Sequence, residues 1–285
     1  MFSGVCTALV TPFLANKKID YCALKILIEK QIEANVSAIL VAGTTGEGST
    51  IEDDEFEQLV SFSKRQIANR CKLVVSTGCN STQKTIKKTK LAQKLGADIC
   101  LIITPYYNKC TQAGLIKHYE KISKQTDIPF IVYNVPSRTG VNIEPSTAKK
   151  LCNIKNMCGI KEANSNINHI TKLFNEVGGK TNIYCGNDNL SHIFYCLGAS
   201  GTISVVSNVY PKQVVQSFKS FEDSLYFSQK FYTICEKLFV EVNPIPVKYA
   251  LYCLGYIKNN LRLPLTSLSQ KYRKQIKAEV LKNEE

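Results

Sequence analysis

Long apolar runs are missing from this 285-residue chain: none approaches the roughly 18 residues that a membrane span needs. The opening Met1-Phe2-Ser3-Gly4-Val5-Cys6 lacks the basic start and extended apolar region of an export signal, so a cytoplasmic location is expected. Glycine (15) and proline (9) are too few for a collagen-like or linker-rich chain. Zinc-type cysteine spacing is missing as well. There are 12 cysteines but no CxxC pair, and the nearest neighbours, Cys71/Cys79, Cys100/Cys110 and Cys152/Cys158, do not have a metal-ligand spacing. The histidines (118, 169 and 192) are far apart, and His192 with Cys196 one helical turn on makes two ligands, not a site. HExxH and GxSxG motifs are absent. No metal and no cofactor are expected.

Arginine is scarce. The formal net charge is +13, yet only five of the 36 basic residues are arginine (65, 70, 138, 262 and 273), and the lysines are scattered apart from Lys84, Lys87, Lys88 and Lys90. Readers of bases and phosphates lean on arginine forks. The charge is therefore read as drift towards lysine, with no nucleic-acid and no membrane partner.

What is present is ordinary globular material: 44% hydrophobic and 21% charged residues. A chain this long buries about three quarters of its unfolded surface without disulfide or metal staples. Most cysteines fall inside apolar runs such as Asp98-Ile99-Cys100-Leu101-Ile102, and are read as reduced core thiols.

Eight apolar runs of strand length punctuate the chain, at 5–10, 38–43, 72–78, 99–105, 129–136, 157–163, 182–187 and 202–207. Continuous apolar strands imply burial on both faces and a parallel sheet. Helical stretches lie between them. Thr50 with Asp53, and Asn80 with Gln83, are spaced like capping boxes, and the acids at 52–55 complement a helix dipole. Thr111 suits an N-cap, and Pro145 and Pro211 suit first helical positions. The pattern predicts an α/β (β/α)₈ TIM barrel over 1–210, carrying the active site, and a helical cap over 211–285 packed on it. In the cap, Leu225, Phe231, Ile234, Cys235, Leu238, Phe239 and Val242 follow helical spacing, interrupted at Asn243-Pro244 and Leu263-Pro264. A doubly wound sheet competes, but it usually needs fewer strands and a nucleotide fingerprint.

Barrel chemistry sits where strands end. In the sixth run, alternation puts Gly159, Lys161 and Ala163 on one face and Cys158 and Ile160 on the other. An inward Lys161 between two minimal neighbours is desolvated, which favours a nucleophilic amine and Schiff-base chemistry on a ketone. An ion-paired or snorkelling lysine is the competing reading. In the fifth run Ile131, Tyr133 and Val135 share a face, so Tyr133 points inward as a proton shuttle or as a core tyrosine. Ser137-Arg138-Thr139-Gly140 then places a guanidinium fork at the mouth, suited to a carboxylate. Gly43-Thr44-Thr45-Gly46-Glu47-Gly48 is an anion cradle of backbone amides and hydroxyls, without the Walker ending or the dinucleotide spacing. Tyr106-Tyr107 on a loop can close a pocket or an interface.

These segments together resemble the dihydrodipicolinate synthase family. They are Gly43-Thr44-Thr45-Gly46-Glu47, Pro105-Tyr106-Tyr107-Asn108, Tyr133 to Gly140, Gly159-Ile160-Lys161-Glu162 and Gly186-Asn187-Asp188, in order at strand ends. The resemblance implies that Lys161 forms the imine with pyruvate. Tyr133, Thr44 and Tyr107 would be a proton-relay triad, with Tyr107 reaching in from a neighbouring subunit. Thr45 would hold the pyruvate carboxylate, Arg138 that of L-aspartate 4-semialdehyde, and Gly186 and Ile203 would line the pocket. The implied reaction gives 4-hydroxy-tetrahydrodipicolinate for lysine and diaminopimelate synthesis, in a homotetramer built as a dimer of tight dimers. Two rivals remain. One is a pyruvate-dependent relative such as N-acetylneuraminate lyase or a keto-deoxy-sugar aldolase, which typically lacks the Arg138 position. The other is a barrel without catalysis that binds nucleic acid or a regulator through its basic surface.

Feedback-inhibited relatives bind lysine in an interface cleft whose matching positions here include Gly48, Ser49, Asp53, Phe56, Asn80, Lys84 and Tyr106. Phe56 and Lys84 replace the histidine and glutamate typical of sensitive relatives. Lys84 would repel an incoming ammonium, so inhibition is expected to be weak or absent.

Overall fold

The computed structural model describes residues 1–282. All eight expected runs are strands: β1 (Gly4–Ala8), β2 (Ala38–Val41), β3 (Lys72–Ser76), β4 (Ile99–Ile103), β5 (Phe130–Asn134), β6 (Met157–Glu162), β7 (Asn182–Cys185) and β8 (Gly201–Ser204). Each pairs in parallel with its neighbours, and β8 returns to β1, closing the barrel. Each strand stops before the end of its apolar run. The residues left over, such as Thr104-Pro105 after β4, form the loops at the barrel mouth.

Alternation divides the apolar residues into two shells. Cys6, Ala38, Leu40, Val74, Leu101, Ile131, Tyr133 and Ile203 fill the interior. Ile39, Val41, Val75, Cys100, Val132 and Ile160 pack outward under the helices. At one end the rings of Phe2 and Tyr184 stack 4.5 Å apart, and the Tyr184 hydroxyl donates to the Phe2 carbonyl at 2.8 Å. The other end stays open.

The helix starts differ slightly from expectation. The second barrel helix, Asp53–Ile67, is capped by Glu52, whose N–H donates to the Glu55 carboxylate at 3.2 Å; the Thr50 hydroxyl instead donates to the Glu47 carbonyl at 3.0 Å. The third, Thr82–Lys94, is capped by Ser81, not Asn80. Thr111 caps Gln112–Ser123, and Pro145 and Pro211 open their helices as expected.

Among the described residues five α-helices follow β8: Pro211–Gln216, Phe221–Lys230, Tyr232–Lys237, Ile245–Cys253 and Gln270–Lys282. Residues 283–285 of the expected cap lie outside the described residues. Phe231, Ile234, Cys235 and Leu238 are buried as their spacing predicts. Leu225, Phe239 and Val242 are exposed, because the helices break at Lys230 and Lys237 and the periodicity does not continue. Among the 12 cysteines only Cys6, Cys100, Cys185 and Cys235 are fully buried; Cys22 and Cys196 are exposed, so the reading of the thiols as core residues holds for a minority. Among the described residues no helix is long and apolar enough to cross a membrane.

Closure depends on a backbone approach at the β1–β8 seam. Gly201 pairs with Gly4, and a Cβ at Gly201 would lie 1.9 Å from the Gly4 carbonyl oxygen. Replacing Gly201 by alanine forces the strands apart, at an expected cost of about 3 kcal/mol, the upper end of core overpacking. Thermal melting of Gly201→Ala is expected to show Tm lowered by roughly 5–10 °C. An unchanged Tm would mean that the seam yields freely.

Candidate active site

β5 and β6 run side by side with Tyr133 opposite Lys161. Both side chains point into the barrel, where Lys161 is 6% and Tyr133 8% exposed. The Lys161 Nζ sits 4.3 Å from the centroid of the Tyr133 ring. Such burial rules out a snorkelling lysine. Among the described residues no carboxylate forms an ion pair with Lys161. The amine is thus held inside the cavity without a fixed counter-ion, the arrangement a carbonyl-attacking lysine needs. Asp188 is a more distant acid. It is buried, accepts from the Val205 and Val206 N–H groups at 2.8 and 3.1 Å, and burial pushes its carboxyl above the usual range.

Small residues around Lys161 have separate tasks. A Cβ on Gly186 would lie 3.1 Å from Lys161 Cε and 2.8 Å from Ala163 Cβ, so Gly186 makes room for the amine. Gly159 makes room for the Tyr184 ring instead, 2.9 Å from where its Cβ would be. Cys158 does not simply face the helices. A register shift at Phe130/Ile131 leaves it without a partner on β5, and it packs against the interior cluster, while Ile160 faces outward as expected.

The cavity at the open end holds about 600 Å³, within the range for a small-ligand site. Thr44, Thr45, Tyr133, Arg138, Lys161 and Gly186 all line it. Two of the glycine loop's backbone amides are taken up within the loop itself. The Glu47 and Gly48 N–H groups bond back to Thr44 and Gly43 carbonyls at 3.1 and 3.0 Å. Gly48 is required because a Cβ there would lie 1.9 Å from the Ala42 carbonyl oxygen. The loop lines the cavity through Gly43, Thr44 and Thr45.

Asn243 is the functional candidate that sequence reasoning missed, having been noted only as a helix interruption. Its Nδ2 donates to Thr45 Oγ1 at 2.9 Å, which leaves the Thr45 hydroxyl proton to donate elsewhere. Its carbonyl accepts from Arg138 Nη2 at 3.2 Å. Its Oδ1 is buried without a partner, and the residue lines the cavity. Phe239 and Val242, expected in the core, line the same mouth. No local sequence pattern marks this segment, since it is joined to the loop only through space.

Two expected site residues are not among those lining this chain's own cavity. Ile203 is fully buried in the interior cluster that also holds Tyr133. Tyr107 is 90% exposed with φ 69°, turned away from its own chain's cavity, while Tyr106 lines it. A residue so placed serves a site only if another copy of the chain presents its cavity to it.

Residues 1–283 match the profile of the Dihydrodipicolinate synthetase family. The chain belongs to that family. It is 47% identical over 280 residues to the 4-hydroxy-tetrahydrodipicolinate synthase of Thermotoga neapolitana, covering 95% of each chain. The crystal structure of dihydrodipicolinate synthase from Thermotoga maritima superposes with a TM-score of 0.96 at 44% identity, covering 99% of this chain and 98% of that one. The chloride-inhibited synthase of Acinetobacter baumannii, complexed with pyruvate, gives a TM-score of 0.96 at 38% identity, with the same coverages.

The helix matched to the feedback cleft of the synthase family carries both Lys84 and Lys88. Lys84 is exposed and does not line the cavity. The lysine that does is Lys88, whose Nζ lies 4.4 Å over the ring of the buried Phe56. Burial pushes its ammonium below the usual lysine range, against the pull of Asp53. The intrinsic cation already covers the aromatic face beside Ser49 and Tyr106. A turnover assay across an L-lysine titration is expected to show half-inhibition no lower than about 1 mM, a binding free energy near −4 kcal/mol or weaker. Half-inhibition far below that would show that Lys88 swings aside.

Proposed function

We propose that this chain is a 4-hydroxy-tetrahydrodipicolinate synthase that condenses pyruvate with L-aspartate 4-semialdehyde. The observation that carries the reading is Lys161, buried, free of an acid partner and facing Tyr133 across one strand pair. The family match supports the reaction, and a relative complexed with pyruvate supports the first substrate.

Lys161 Nζ attacks the pyruvate ketone, and loss of one water gives the iminium. The iminium withdraws electrons from the methyl group, which gives up a proton and becomes an enamine carbon nucleophile. That carbon attacks the aldehyde of the second substrate, whose oxygen takes a proton and becomes the hydroxyl of the product. The substrate's own amine then displaces Lys161 and closes the ring, freeing the lysine. Tyr133 manages the proton steps, with Thr44 and a Tyr107 from a neighbouring copy passing protons on. Thr45 donates to the pyruvate carboxylate, and Arg138, anchored to the Asn243 carbonyl, offers its remaining N–H groups to the second carboxylate. The exposure of Tyr107 supports an assembly of at least two copies, and we take the homotetramer implied by the family as its form.

Borohydride reduction in the presence of pyruvate is expected to leave one adduct, mapped to the Lys161 peptide. An adduct on another lysine, or none, would sink the assignment. In parallel assays the chain is expected to turn over pyruvate with aspartate semialdehyde and to leave sialic acid uncleaved; the reverse would favour a sugar-acid lyase. Arg138→Ala is expected to cost aspartate semialdehyde use roughly ten- to a hundredfold, the value of a charge-assisted hydrogen bond, while imine formation with pyruvate changes little. Equal damage to both half-reactions would contradict a role at the mouth.

A further inference from the structure

Beneath Thr44 and Thr45 lies a buried ion pair that no step above uses. Glu47, at the end of the same loop, has a left-handed backbone (φ 53°), and so does Ala42 just before it (φ 54°). Such conformations persist in residues other than glycine only when the surroundings hold them. The Glu47 carboxylate turns inward rather than to solvent, and its side chain is 1% exposed. Lys248, on the helix Ile245–Cys253, meets it with Nζ 2.5 Å from Oε1, and the Lys248 side chain is 0% exposed. The second oxygen accepts the Arg262 backbone N–H at 3.0 Å. The Arg262 guanidinium is taken up elsewhere, by Glu55 and by the Thr50 and Lys17 carbonyls. It stacks on Phe13 at 4.4 Å, and the Lys248 ammonium lies 4.2 Å over the same ring. Lys248 is thus the one side-chain cation that pairs with Glu47 among the described residues. Burial pushes its ammonium below the usual lysine range while Glu47 pulls the other way.

A buried pair of charges is a poor device for stability, because desolvation cancels most of the attraction. What it supplies is a fixed geometry. Here that geometry links the cavity loop to the segment after the barrel, and it is the second link of its kind. Thr45 is held by Asn243, and two residues further along the loop Glu47 is held by Lys248, five residues beyond Asn243. One short segment therefore grips the loop at two points.

We propose that Glu47 and Lys248 are positioning residues for pyruvate, an ionic latch that holds the Thr44–Thr45 loop where the Thr45 hydroxyl meets the substrate carboxylate. Neither touches substrate. The inference rests on the functional reading above, and it assigns the segment after the barrel a part in substrate binding.

Two variants separate positioning from stability. Lys248→Met leaves the Glu47 charge buried and unpaired; the chain is destabilised and the pyruvate KM rises. Glu47→Gln/Lys248→Met removes both charges. Its Tm is expected to return to within a few degrees of the wild type, since neutral replacement of a buried pair is often harmless. Its pyruvate KM is expected to stay raised about ten- to a hundredfold, the loss expected when a charged hydrogen bond no longer fixes the site, while the aspartate semialdehyde KM moves less than about threefold. A double variant with both Tm and pyruvate KM near wild type would show that the pair is structural only and overturn the proposal. A double variant that melts far below the wild type would overturn it too, because the pair would then hold the fold and not the loop. Borohydride trapping on the unaltered chain is run alongside. If it traps no pyruvate, the functional reading itself falls; if it traps pyruvate and the double variant binds it normally, only the latch falls.

Discussion

The site depends first on the register between β5 and β6. Parallel pairing sets Tyr133 against Lys161 and, one residue on, Asn134 against Glu162. Strand alternation sends the first pair into the barrel and the second towards the helices. The outward pair is fixed by its own polar network: the buried Glu162 carboxylate accepts from Asn134 Nδ2 at 2.9 and 3.0 Å and from the Asn164 N–H at 2.6 Å, and it meets His169 Nε2 at 3.2 Å. A slip of one residue would bury Asn134 and Glu162 in the cavity and drive the amine and phenol under the helices. The satisfied carboxylate behind the wall and the unpaired amine inside it are two faces of one register.

The cavity is completed by chain that does not belong to the barrel strands. Asn243 meets Thr45 and Arg138, while Lys248 and the Arg262 backbone meet Glu47. In a fold whose chemistry sits on loops, the loops need an external support, and here the helices after β8 supply it. A single functional unit thus draws on the second strand's loop, the fifth strand's loop and a segment 198 residues beyond the first and 105 beyond the second.

Some of the sequence expectations failed for a physical reason that is the same in each case. Phe239 and Val242 continued a helical period on paper, but the helix ends at Lys237 and both line the mouth. Cys158 was placed by strict alternation, and a register shift turned it towards the interior. Gly48, expected to let the loop approach a ligand, lets the chain approach itself at Ala42, and Gly159, expected to leave room for Lys161, leaves it for Tyr184. Periodicity describes an isolated element, whereas these outcomes were settled by what the element packs against.

Local patterning in the sequence determined the eight-strand barrel, the inward faces of β5 and β6, and the residue types at the strand ends. Those follow from alternation and burial within one element, which neighbouring residues encode. The sequence likewise brought Lys161, Tyr133, Thr44, Thr45 and Arg138 forward, since each lies in a short segment with a recognisable spacing. Only the tertiary structure decided that Asn243 and Lys248 belong with them and that Tyr107 faces away from its own site. Contacts across some 200 residues leave no periodic trace in either partner. They exist because the barrel, once closed, presents one surface to whatever chain follows it, and a buried charge such as Glu47 is tolerated only where that chain brings its counter-charge.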